Sequence, residues 1–273
     1  MEKLKRLESG IEGLDALLKG GLVAGASYII QGRPGSGKTI LANQLGFHHA
    51  ENGGRVLVAT LLAESHDRLF QFLSTLSFFD SSKVGAEIQF VSAFDTLENE
   101  GLDEVVKLLR REISRQKATV MVVDGLLNAR SKADSHIDTK KFISELQGHA
   151  AFAGCTVLFL TSSRLDDGSP EHTMVDGVIE MGEELYGTRS VRRIQLRKTR
   201  GSGAMTGLHE CEITENGLVV YPRLESLYSH PSSPDSADMT RIPSGIESLD
   251  DILGGGLHLS LIHISEPTRP RLI

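Results

Sequence analysis

Apolar residues in this chain follow two rhythms, and the change between them divides it. From residue 26 to residue 160, short and nearly unbroken apolar runs alternate with longer stretches where apolar residues return every three or four positions. The runs at 26–31, 55–61, 87–91, 119–123 and 156–160 predict strands buried on both faces. The stretches 40–51, 66–76, 102–115 and 140–152 predict amphipathic helices. Leu41 and Leu45 mark one face of the first, and Leu102, Val105, Val106, Leu108 and Leu109 that of the third. This alternation predicts an α/β fold: a mostly parallel sheet flanked by helices on both faces. Beyond Asp176 the runs shorten and lose their intervening helices. Segments 178–181, 191–196, 209–213 and 218–221 predict C-terminal antiparallel β-hairpins, with Glu215-Asn216-Gly217 as one turn.

The stretch 229–240 breaks the pattern with Ser, Pro, His and Asp and reads as a linker, closing a first domain over 1–228. An internal repeat follows. Arg241-Ile242-Pro243-Ser244-Gly245-Ile246-Glu247-Ser248-Leu249-Asp250 repeats Arg6-Leu7-Glu8-Ser9-Gly10-Ile11-Glu12-Gly13-Leu14-Asp15, and the match runs on through Leu257 against Leu22. Eleven of seventeen positions are identical. Residues 241–258 therefore read as the start of a truncated second domain like the first. From Leu259 to Arg269 the chain matches the in-frame translation of a transposase adapter used in sequencing libraries. Residues 259–273 are thus expected to be non-native, the alternative being a natural tail.

With 273 residues, 40% hydrophobic and 24% charged, the chain reads as soluble and globular. No apolar run is long enough to span a bilayer and no secretion signal is evident, so no membrane is expected and a cytoplasmic location is. Cys155 and Cys211 give no disulfide framework, and Cys155 reads as a buried thiol. The net charge of −7 leaves nucleic acid possible but not favoured. His48 and His49 are neighbours on a predicted helix and should point apart, so they are not expected to share a metal ion.

The densest chemistry lies in Gly32-Arg33-Pro34-Gly35-Ser36-Gly37-Lys38-Thr39, which fits the phosphate-binding pattern Gly-x4-Gly-Lys-Ser/Thr. Glycines let the backbone curl until successive N–H groups aim inward. Lys38 adds a mobile cation, Thr39 a hydroxyl for Mg²⁺, and the helix start a partial positive charge. A strand leads in and a helix leads out, as phosphate binding requires. Asp124 ends an apolar strand and is placed to complete the Mg²⁺ shell with Thr39; an ordinary strand-end acid is the alternative. Glu64 follows another strand, as a water-orienting group or as a helix-start acid with Ser65. Thr161-Ser162-Ser163 either senses a γ-phosphate or caps a turn. The basic run Arg189, Arg192, Arg193, Arg197, Lys198, Arg200 admits three readings: a solvated hairpin, a nucleic-acid contact, or a pair, Lys198 and Arg200, reaching a neighbouring subunit's nucleotide. No Asn-Lys-x-Asp stretch is present, so guanine specificity is not expected.

Ser9-Gly10-Ile11-Glu12-Gly13-Leu14-Asp15, the phosphate loop, Ala63-Glu64-Ser65, Asp124 and Lys198-Thr199-Arg200-Gly201 together resemble the KaiC-type branch of the RecA-fold ATPases. The resemblance covers 4–222, with 241–257 as a second copy. It implies a RecA-like P-loop core, two tandem domains, and a hexameric ring holding ATP at subunit interfaces. Gly35 to Ile40 would bind the triphosphate, with Gly32 opening the loop. Thr39 would ligate Mg²⁺, and Lys198 and Arg200 would contact ATP held by the adjacent subunit. The family usually carries two adjacent glutamates where this chain has Ala63 and Glu64. The expected function is Mg-ATP hydrolysis in signalling or regulation, with regulatory protein partners possible. A protein serine/threonine autokinase and a DNA-associated recombinase-like module are the alternatives.

Overall fold

The computed structural model describes residues 4–126, 129, 136–162, 169–227 and 240–258. Contacts divide the chain into two units, 1–227 and 228–273.

In the first unit a small hairpin, β1 (Arg6–Leu7) and β2 (Leu22–Val23), brackets the one-turn helix α1 (Leu14–Leu17). Then follow β3 (Ser27–Gly32), α2 (Lys38–Glu51), β4 (Val56–Thr60), α3 (His66–Leu73), β5 (Ile88–Ser92), α4 (Phe94–Glu100), α5 (Leu102–Gln116), β6 (Val120–Asp124), α6 (His136–Phe152) and β7 (Thr156–Thr161). A short α7 (Pro170–Met174) precedes β8 (Gly177–Tyr186), β9 (Arg189–Thr199), β10 (Leu208–Thr214), β11 (Gly217–Tyr221) and α8 (Leu224–Leu227). One nine-stranded sheet holds β11-β10-β9-β8-β3-β7-β6-β4-β5 in that order. Strands β3 to β7 and the β3–β8 pair run parallel; the pairs from β8 to β11 are antiparallel. The α/β expectation with C-terminal hairpins therefore holds.

The unbroken apolar runs arise because each central strand is buried on both faces. Tyr28, Ile30, Val56, Val58, Val120, Val122, Leu158 and Leu160 face one core, with Leu41 and Leu45 of α2. Their sequence neighbours Ile29, Leu57, Ala59, Met121, Val123, Val157 and Phe159 face the other, with Val105, Val106 and Leu109 of α5 and Leu146 of α6. The two-residue period of a strand sorts consecutive apolar residues into opposite layers.

Boundaries depart from expectation where local bonding overrides the apolar stripe. Helix α2 starts at Lys38, because Gly37, at φ 99°, already serves as its N-cap. Helix α3 stops at Leu73 instead of 76: the Ser74 and Thr75 hydroxyls donate to the carbonyls of Gln71 and Phe72, both at 2.8 Å, within their own turn. Helix α4 buries Leu97 alone and so left no periodic signal. Strands β8 and β9 run beyond their apolar cores as an exposed ribbon.

In the second unit β12 (Arg241–Ile242) and β13 (Leu257–His258) bracket α9 (Glu247–Ile252). The rest of the expected linker and the adapter-like tail lie outside the described residues.

Candidate functional site

The carboxyl ends of β3, β6, β4 and β7 meet along one edge of the sheet, and the ladder sets their levels. Thr60 pairs with Asp124, Asp124 with Leu160, and Thr161 with Gln31, the residue before Gly32. Strand β7 separates β3 from β6 and leaves a crevice between their ends, the place where parallel sheets bind ligands. A cleft of about 230 Å³ opens there, lined by Pro34, Gly35, Lys38 and Thr39 on one side and by Thr60, Leu62, Glu64, His66, Asp124 and Ser162 around it.

The loop keeps its shape for steric reasons. Gly35 adopts φ 80° and Gly37 φ 99°. A Cβ on Gly32 would lie 2.1 Å from the Met181 carbonyl oxygen of β8, and one on Gly37 would lie 3.0 Å from Ile213 of β10. Ser36 is buried, and its N–H donates to the Arg33 carbonyl at 3.2 Å. Ile40, in the first turn of α2, packs against the core. The Lys38 ammonium is buried and donates to the Gly32 and Arg33 carbonyls, both at 2.9 Å, and to Ser36 Oγ at 3.4 Å. Burial holds its pKa below the usual lysine value, against the pull of Asp124.

Thr39 Oγ1 donates to Asp124 Oδ2 at 3.2 Å. Burial pushes the Asp124 carboxyl up; the Thr39 bond and the Lys38 charge oppose that shift and Glu64 adds to it. Lys38, Thr39, Glu64 and Asp124, distant in sequence, thus share one cleft. Glu64 lies on the connection between β4 and α3, and its carboxylate is 3.7 Å from Arg68 Nε one turn along. Ser162 borders the cleft; Ser163 lies outside the described residues.

Lys198 and Arg200 are elsewhere. Lys198 stands level with Val178, which stands level with Ile29, so this pair sits toward the opposite edge of the sheet, roughly 10 Å along the strands from Gly32. The Lys198 ammonium donates to the carbonyls of His172 (2.7 Å), Thr173 (3.3 Å) and Val175 (2.6 Å) at the end of α7. Arg200 donates to the Thr173 carbonyl at 3.2 Å and pairs with Asp176 at 3.6 Å. Both side chains reach the Thr173 carbonyl, Lys198 from β9 and Arg200 from the turn just past its end. Two arginines of the basic run are paired: Arg193 with Glu210 at 3.0 Å and Arg197 with Glu180 at 2.6 Å.

Sequence reasoning missed Thr60 and His66. Thr60 Oγ1 and His66 Nε2 are 2.9 Å apart, and the imidazole packs against Phe70 and Phe90, with centroids at 6.2 and 5.7 Å. Burial lowers its pKa, which Asp67 partly offsets. It also missed the buried bond, 2.8 Å, from His172 to Gln31 beside the loop. His48 and His49 have separate partners, Asn52 at 3.3 Å and Thr119 at 2.7 Å. Cys155 and Cys211 are free and buried, with burial raising their thiols to about 12 and about 11. No helix among the described residues is long and apolar enough to cross a membrane.

The family model for the KaiC ATPase matches residues 7–225. The circadian clock oscillator protein KaiC of Picosynechococcus sp. is 25% identical over 266 residues, which cover 93% of this chain and 50% of that protein. For KaiC of Synechococcus elongatus the identity is 22% over 274 residues, with 93% and 50% covered. The chain spans about half the length of the curated relatives it matches. A crystal structure of a KaiC-like protein from the hyperthermophilic archaeon Pyrococcus horikoshii has the same fold: TM-score 0.71 at 24% identity, over 80% of this chain and 100% of that one.

Proposed function

This chain belongs to the KaiC ATPase family, and from that premise we propose that it binds Mg-ATP in the cleft above β3 and β6 and hydrolyses it. One observation carries the reading: the Thr39 hydroxyl meets the Asp124 carboxylate at 3.2 Å beside the phosphate loop and its buried lysine.

The residues present suit the metal. A hydroxyl and a carboxylate are hard oxygen donors of the kind Mg²⁺ takes. Burial disfavours charge on Asp124, so a cation there restores what desolvation removes. Thr39 and Asp124 would hold the ion, and when bound it would supply positive charge against the charge developing on the outer phosphates. The backbone amides from Gly35 to Ile40 wrap the phosphates. Lys38 exchanges its loop carbonyls for phosphate oxygens, a short swing for an ammonium already inside the loop. Glu64 orients the water that attacks the γ-phosphate.

Lys198 and Arg200 do not reach this cleft within their own chain. In a closed ring of like subunits, hexameric by family resemblance, they serve the neighbour's nucleotide. The ATP then lies at a subunit interface, and signalling or regulation is the setting we assign.

The test follows γ-labelled phosphate after the full chain meets Mg-ATP, beside Lys38→Ala. Free phosphate from the unmutated protein alone is expected. Label retained on the protein would make it a serine/threonine kinase, and equal ATP affinity in Lys38→Ala would refute the site. Lys198→Ala should keep ATP binding and slow turnover by roughly 10³-fold, the low end for a charge supplied in trans; an unchanged rate removes the trans role.

A further inference from the structure

The attachment of Glu64 to the rest of the cleft is weak. Its ion pair with Arg68 joins two exposed side chains, 48% and 68% accessible, and fixes Glu64 only to the helix that follows it. Ser65, the N-cap of α3, makes no side-chain capping bond, and Leu73 at the far end is the one fully buried residue of that helix. The near end is held by His66. Its ring bonds Thr60, the last residue of β4, and packs against Phe70 and Phe90, which meet edge to face at 4.8 Å. That strand end is itself fixed to β6: Thr60 stands opposite Asp124, and the Leu61 N–H donates to the Asp124 carbonyl at 2.8 Å.

We propose that His66 is a positioning residue for the hydrolytic water: through Thr60 it ties the first turn of α3, and Glu64 two residues earlier, to the strand end level with Asp124. The inference rests on the ATPase reading and deepens it. With Asp124 engaged by Thr39, Glu64 is the remaining carboxylate lining the cleft among the described residues, so the placing of the water depends on this tether. The bond forms in either polarity, Thr60 O–H to a neutral Nε2 or Nε2–H to the Thr60 oxygen, so a glutamine amide can replace the ring nitrogen.

The experiment compares full-length protein with His66→Ala, His66→Gln, Thr60→Val and the His66→Ala/Thr60→Val double variant, reading ATP affinity, turnover, and amide hydrogen exchange over residues 62–69. His66→Ala should lower turnover about tenfold with affinity held within about twofold, as expected for a misplaced group acting after binding. Exchange over 62–69 should rise in the same variant. His66→Gln should recover most of the turnover. Thr60→Val should match His66→Ala, and the double variant should be no worse than either. Unchanged exchange in His66→Ala, additive losses, or a fall in affinity that parallels turnover would each overturn the proposal. If the unmutated protein binds ATP without hydrolysing it, the ATPase reading fails, while the exchange data still decide whether His66 tethers the segment.

Discussion

Residues 6–22 and 241–257 are two copies of one sequence in two surroundings. Their internal bonds agree almost atom for atom. The Asp15 carboxylate accepts from the Ser9 N–H at 2.9 Å, and Asp250 from Ser244 at 2.7 Å. The Ser9 hydroxyl accepts from Ile11 N–H at 3.1 Å, and Ser244 from Ile246 at 3.2 Å. Arg6 donates to the Gly21 carbonyl at 3.2 Å, and Arg241 to Gly256 at 3.0 Å. Burial differs completely. Leu7, Ile11 and Leu17 are 8%, 2% and 0% exposed, whereas Ile242, Ile246 and Ile252 are 50%, 57% and 81% exposed. The shape of the motif is thus written in its own seventeen residues, through turns and side-chain-to-backbone bonds. Its stability comes from whatever core it covers.

The copies are not interchangeable. Gly13 has φ +78°, and a Cβ there would lie 1.8 Å from the Val220 carbonyl oxygen. Retreat is blocked, because Val220 N–H donates to the Glu12 carbonyl at 2.9 Å. The matching residue is Ser248, which could not make this close approach without displacement.

The sharpest way to break this comparison is Gly13→Ser, which gives the first copy the second one's residue. It should cost about 4 kcal/mol through strain and overlap; denaturant unfolding of the full chain with no shift in midpoint would show the close approach to be harmless. Next come paired truncations. Leu17→Ala should lose about 3 kcal/mol by opening a cavity, and Ile252→Ala less than about 0.5 kcal/mol. Equal losses would mean that both copies are buried in solution. The smallest effect concerns pH. Hydrogen bonds from Ser244 hold the Asp250 carboxyl below its ordinary 3.8. A depressed carboxyl stabilises its fold fully above the unfolded value and stops doing so as pH falls through the folded one. The Ser244 amide should therefore keep its protection above pH 3.8 and lose it in more acidic solution; a titration flat down to complete protonation would remove the carboxylate as the organiser of that turn.

How much was legible in the sequence follows from how local each feature is. The phosphate loop occupies eight consecutive residues, and its structure adds the Met181 and Ile213 contacts, the Lys38 bonds and the bond to Asp124. The central strands were legible because two buried faces leave no polar interruption. The repeat was visible as identity but not as elements: its strands have two residues each and α1 has four, too few for any period to register. Thr60 and His66 were missed because their bond spans a strand-to-helix connection with no spacing rule. Gln31 and His172 are 141 positions apart and meet only once β8 lies beside β3. Lys198 and Arg200 were expected to share a direction by strand alternation, but β9 ends at Thr199, so Arg200 meets Lys198 at the Thr173 carbonyl from the following turn. The level at which they sit required the register.

Gly32 and Gly37 lead to one more consequence. Both touch the antiparallel half of the sheet, Met181 on β8 and Ile213 on β10, at distances that leave no room for a methyl group without displacement. For anyone transplanting this loop into another scaffold, the eight residues are not a portable part. The mould that shapes them extends to residue 213, so the smallest piece that carries the geometry is nearly the whole first unit. A bulkier side chain at 213 should reshape the loop as surely as a change within it.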